Sequence, residues 1–129
     1  MKPRKQASMM IQCALTIALL CSHTHASEKY PELSTELATG RGVWLQNCET
    51  CHAYGIAGAP NPLEPPEWEE RVKTPLTTLY EHATQGFFGV NDTYMPPRGG
   101  NPELSDSDVE SAVDYMLALA RFYLSTKEK

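Results

Sequence analysis

Cys48-Glu49-Thr50-Cys51-His52 sets two thiols and an imidazole within five residues. Two thiols separated by two residues can add to the two vinyl groups on one edge of a haem. A histidine directly after the second thiol is then held beneath the iron, where a ring nitrogen can bind it. C-x-x-C-H is the attachment signature of covalent haem. The competing chemistry is a redox-active or structural thiol pair that happens to precede a histidine. A bridge across two residues belongs to redox enzymes whose motif sits beside a β-α-β pattern, and none surrounds Cys48. A third sulfur stands in Tyr94-Met95-Pro96-Pro97-Arg98-Gly99-Gly100. Methionine is normally an adaptable core filler, but this loop is stiffened by two prolines and offers no helical face to fill. The Met95 thioether is therefore the candidate sixth iron ligand. His82, in a helical stretch after Tyr80-Glu81, is the alternative sixth ligand, weighed against an ordinary exposed histidine.

The N-terminus bears on the compartment. Lys2, Arg4 and Lys5 are followed by a largely apolar run from Met9 to Cys21 and by small residues before Ala26. This is the pattern of a cleavable secretory signal over residues 1–26, with cleavage near Ala26. The apolar run, at about 13 residues, is shorter than the ~20 a membrane-spanning helix needs, so no membrane span is expected in the mature form. Cleavage would leave one small domain, with 27–33 as a flexible lead and 34–129 as the haem domain. It would also remove three basic residues, so a formal charge of −5 becomes −8, sixteen acidic residues against eight Lys and Arg. That balance argues against nucleic acid and for basic or neutral protein partners. Cys48 and Cys51 would be the only cysteines left.

The remaining elements must position these groups. Ser34 can cap a helix with Glu36 in its first turn. Leu33, Leu37, Gly40, Trp44 and Cys48 recur at three- to four-residue steps and share one face. Gly40 either admits a second helix at close range or is simply tolerated. Residues 54–66 are rich in proline and glycine and read as loop. A backbone carbonyl there, with Pro60 the candidate, would accept the free N–H of His52 and fix its ring; ordinary loop rigidity is the other reading of Pro60.

Residues 67–73 read as a short helix after Pro66. Trp68 and Arg71 there can face the same way, either to hydrogen-bond haem propionates or as a packed indole and a solvated guanidinium. A further helix starts at Thr74-Pro75, carries Leu76, Leu79, Tyr80 and Ala83 on one face, and closes at Gln85-Gly86. Residues 86–103 read as irregular. Ser105-Asp106-Ser107-Asp108 opens a last helix with a capping-box pattern, and Val109, Val113, Met116, Leu117, Ala120 and Leu124 trace its apolar face. That helix is expected to cross the 34–47 helix, with Met116 as core.

Taken in order, these segments resemble a class I cytochrome c, and most closely the small bacterial cytochromes of the c5 type. The likeness rests on Gly40 to Cys48, Cys51-His52, Gly58-Ala59-Pro60, Trp68-x-x-Arg71, Met95 to Pro102, Leu104-Ser105-Asp106 and Tyr115-Met116. It departs from relatives that carry a further disulfide, for which no cysteines remain. The resemblance implies an all-α fold of about four to five helices wrapped around one covalently bound haem c. It implies thioether bonds at Cys48 and Cys51, axial ligation by His52 and Met95, and pocket support from Pro60, Trp68, Arg71 and Arg98. The expected function is a periplasmic monohaem electron carrier rather than an enzyme, docking transiently with a redox protein donor and acceptor. Its exposed haem edge would be ringed by residues such as Ile56, Ala57 and Ala59. The alternatives are a haem-based ligand sensor and the cytochrome subunit of a dehydrogenase or oxidase.

Overall fold

The computed structural model describes residues 34–127; the expected signal and lead, residues 1–33, lie outside the described residues. Ser34 has extended backbone and its hydroxyl accepts the Leu37 N–H at 3.3 Å, covering a donor that the helix start leaves unpaired. Helix α1 runs Thr35–Asn47, and the single turn α2 (Glu49–His52) follows directly after Cys48. After a 3₁₀ turn at Ile56–Gly58 come α3 (Pro65–Trp68), a second 3₁₀ turn at Arg71–Lys73 and α4 (Leu76–Gln85). Strands β1 (Phe87–Phe88) and β2 (Tyr94–Met95) form a small antiparallel hairpin, and the 3₁₀ turn Pro97–Gly100 leads to α5 (Asp106–Lys127). No helix among the described residues is long and apolar enough to cross a membrane.

The capping box at the start of α5 is complete. Ser105 Oγ accepts the Asp108 N–H at 3.2 Å, and the Asp108 carboxylate accepts the Ser105 N–H at 2.9 Å and its hydroxyl at 2.6 Å. These bonds hold the Asp108 carboxyl below its usual range. The helix they start is buried on two sides. Val109, Val113, Leu117 and Ala120 pack with Trp68 and Ala83. Ala112, Tyr115 and Leu119 pack with Trp44 of α1, with Trp44 and Tyr115 edge to face at 5.7 Å between ring centres. Sequence periodicity picked out only the first of these faces. A helix covered on two sides has no single apolar stripe, so its pattern understates its burial.

Gly40 is where α1 and α5 meet most closely. A Cβ there would lie 1.9 Å from the Ser111 carbonyl oxygen, so only glycine fits. Helix α4 is tied to α5 by Tyr80, whose hydroxyl donates to Asp114 Oδ1 at 2.7 Å.

Two expectations are corrected. The helix expected over 67–73 is divided: α3 starts earlier, at Pro65, whose fixed φ suits a first turn, and ends at Trp68; Arg71 sits on the separate 3₁₀ turn. The irregular stretch 86–103 contains the β1–β2 hairpin, with Phe87 opposite Met95 and Phe88 opposite Tyr94. Gly86 enters it at φ +87°, a conformation that disfavours any side chain.

Two predictions follow from this packing. Gly40→Ala should destabilise the protein by about 3 kcal/mol or more, the upper end of overpacking costs, read as a lowered denaturation midpoint; an unchanged midpoint would contradict the close crossing. Burial first, and then the Asp114 hydrogen bond, push the Tyr80 hydroxyl from its usual 10 up to about 12. The folded state thus holds this proton more tightly than the unfolded chain. The stabilisation is full below pH 10 and fades as pH rises towards 12. Melting curves of Tyr80→Phe should lose the part of the alkaline decline that the native protein shows in that window.

Candidate haem-binding site

Helix α1 carries Cys48 to the edge of the core, and α2 turns His52 inward, only 6% exposed. The His52 ring nitrogen Nδ1 lies 3.0 Å from the Pro60 carbonyl oxygen. A carbonyl can only accept, so Nδ1 bears the proton and Nε2 keeps its lone pair free for a metal. Burial lowers the His52 pKa from its usual value; the Pro60 bond opposes this, and the Arg71 charge adds to it. The net lowering favours a neutral imidazole able to ligate. The loop that supplies Pro60 is itself pinned, since Asn61 Nδ2 donates to the Ala53 carbonyl at 3.0 Å.

Cys48 and Cys51 are free thiols, Cys48 half-buried and Cys51 exposed. Burial, and then the neighbouring Cys51, push the Cys48 thiol up to about 11. A redox-active pair needs the opposite shift, towards thiolate.

One apolar cavity gathers the candidate groups. Cys48, His52 and Met95 line it together with Val43 and Trp44 of α1, Ala83 of α4, Leu104, and Val109, Ala112, Val113 and Met116 of α5. Sequence reasoning treated Met116 as core; it is half-buried and faces this cavity. The signal that could have found it is its place on the α5 face that also carries Val109 and Val113. Trp44 and Trp68 are buried, and neither indole N–H has a hydrogen-bond partner. Two orphaned donors, Trp44 lining the cavity and Trp68 in the core cluster behind it, together with two thiols, an imidazole and a thioether form a donor set that fits a haem c. The indoles can serve carboxylate groups, and the sulfur and nitrogen atoms can serve vinyl groups and iron.

The remaining candidates are placed differently. Arg71 is exposed and its guanidinium donates to the Glu67 carbonyl, whereas Trp68 is buried. The break between α3 and the 3₁₀ turn separates them. Arg98 borders the cavity, but its guanidinium is engaged by the Leu104 carbonyl at 2.8 Å and Asp106 Oδ1 at 2.6 Å. It braces the methionine loop to the start of α5. His82 stacks on Phe87 with ring centres 4.1 Å apart and is not among the cavity-lining residues.

An apolar face lies beside the site. Phe88 and Val90 of the hairpin are 77% and 79% exposed, and Ile56, Tyr54 and Tyr94 are exposed too. The hairpin and the 56–58 turn adjoin, since a Cβ on Gly58 would meet the Thr93 methyl at 2.6 Å. Across residues 51–60 and 82–97 the sole Asp, Glu, Lys or Arg is Asp92.

Residues 35–116 match the family model described as cytochrome c oxidase, cbb3-type, subunit III. Cytochrome c-555 of Prosthecochloris aestuarii is 41% identical over 85 residues, covering 64% of this chain and 86% of that protein. Cytochrome c5 of Ectopseudomonas mendocina is 29% identical over 77 residues, covering 60% and 85%. Among solved structures, a chain from the electron transfer complex of nitrite reductase with cytochrome c is similar at a TM-score of 0.57 and 29% identity. That match covers 70% of this chain and all of the other.

The cysteine pair gives the direct test of the site. Cys48→Ala combined with Cys51→Ala should leave any bound haem extractable by acid–acetone, whereas the native pigment stays with the polypeptide. Pigment that resists extraction from the double variant would rule out thioether attachment here.

Proposed function

The chain belongs to the class I cytochrome c family, and on that basis we propose that it is a periplasmic monohaem carrier passing single electrons between redox proteins. The observation that carries this reading is the convergence of Cys48, His52 and Met95 on one apolar cavity. The bound haem supplies one-electron exchange between ferrous and ferric iron. Cys48 and Cys51 hold it covalently, so it is retained through short encounters with partners. His52 Nε2 and the Met95 thioether would hold the iron, and together they would leave no open position for a substrate. Pro60 fixes the imidazole and raises its basicity through the Nδ1 hydrogen bond. Trp68 and Trp44 offer their indole N–H groups to the propionates. No residue is assigned a catalytic role.

Partners meet the protein on the uncharged face formed by Ile56 and the hairpin. A weakly polar contact of this kind suits brief, small-area docking. The acidic surface elsewhere favours donors and acceptors with basic surroundings. The similar chain in a complex with nitrite reductase supports a role of this type. A second reading, a haem subunit of a larger oxidase, takes its support from the description of the matching family model; a stoichiometric partner that stays bound through purification would favour it.

The test is the absorption spectrum and reduction potential of the purified holoprotein beside those of Met95→Ala. The native protein should be low-spin, with the weak long-wavelength iron–methionine band when oxidised. Met95→Ala should keep its haem, lose that band, open the sixth site and shift to a lower potential. Identical spectra and potentials would remove Met95 from the ligand set. High-spin bands in the native protein would favour the ligand-sensing alternative.

A further inference from the structure

Asn47 is the last residue of α1, one position before Cys48, and Asn101 closes the 3₁₀ turn that follows Met95 and its prolines. Fifty-four residues apart in sequence, their side chains meet: Asn101 Nδ2 donates to Asn47 Oδ1 at 2.8 Å. Each amide is also fixed from behind. Asn47 Nδ2 donates to the Val43 carbonyl at 3.0 Å, and Asn101 Oδ1 accepts the Glu103 N–H at 3.1 Å. Both residues are half-buried, where a neutral pair avoids the desolvation cost of an ion pair. The backbones approach at the same place. A Cβ on Gly99 would lie 3.1 Å from the Asn47 carbonyl oxygen, and Gly99 has φ +64°. The preceding Arg98 also has φ +54°, a conformation that a non-glycine residue keeps only where its surroundings hold it.

From this geometry, and resting on the assignment of Met95 as axial ligand, we infer that Asn47 and Asn101 are positioning residues that set the strength of the Met95–iron bond. The methionine loop is held by the β1–β2 pairing and by packing against Gly86 and α4, and after Met95 also by the side chains of Arg98 and Asn101. Arg98 ties it to the α5 start; Asn101 ties it, by its side-chain bond to Asn47, to the segment carrying the haem-attachment cysteines. The amide clasp therefore fixes the spacing between the thioether end of the site and the methionine end. Opening it leaves the covalent attachment intact and releases the loop to swing away from the iron.

The test is imidazole binding to the ferric holoprotein, followed in the visible spectrum, for Asn47→Ala, Asn101→Ala and the double variant. Imidazole must displace Met95, so its affinity reports how firmly the loop is held. Each alanine variant should bind imidazole about fivefold more tightly, the worth of one hydrogen bond. The double variant should exceed neither single by more than a small factor, because both remove the same contact. Unchanged affinity in both alanine variants, or effects that multiply in the double variant, would overturn the inference. Failure of the ligand assignment looks different: native protein and Met95→Ala would then bind imidazole alike, and the iron–methionine band would be missing from the start.

Discussion

The close crossing of α1 and α5 is the constraint on which the rest depends. Gly40 removes the side chain that would hold the helices apart, and the Ser111 carbonyl occupies the space it leaves. With the backbones that near, Trp44 can reach Tyr115 and bury Leu119, which is 0% exposed. Each large apolar side chain so buried is worth about 1.5–3 kcal/mol of transfer free energy. The crossing also fixes the direction in which α1 points when it ends, and hence where Cys48 and His52 enter the core. Displacing α5 would take away one wall of the cavity, since Val109, Ala112, Val113 and Met116 all come from it.

Polar groups in this core are few and unevenly satisfied. His52 has its Pro60 carbonyl, while the indole N–H groups of Trp44 and Trp68 have no protein acceptor. A buried donor without a partner costs about 1–3 kcal/mol. Propionate acceptors on a haem would relieve that cost. The cofactor would then contribute to the stability of the fold as well as to its chemistry, as expected of a chain with a small core.

Much of this was legible in the sequence where the signal is local. The Ser34 cap, the Ser105–Asp108 box and the step from Gly40 to Trp44 to Cys48 are set by residues three or four apart, and helix geometry turns such spacing directly into a face. The two-residue strands of the hairpin are too short to show alternation, and Phe88 and Val90 are exposed, so no burial pattern marked them. The split at Glu69-Glu70 was hidden because neither residue is a breaker; the helix before it simply starts sooner, on Pro65. The second face of α5 was obscured by being polar-tipped at Tyr115 and small at Ala112. The pairing of Asn47 with Asn101 had no sequence signature at all, because two amides far apart in the chain meet only once the helices have packed.

The crossing also orders events in time. Ser111, which receives Gly40, lies about sixty residues after Cys51, and a chain is made from its N-terminus onward. Cys48 and Cys51 are thus present and accessible well before the wall that will enclose them exists. Contacts between such distant segments are slow to form, because the intervening loop must close first. The thiols are most reachable in an open chain, before α5 packs against α1 and closes the pocket over them.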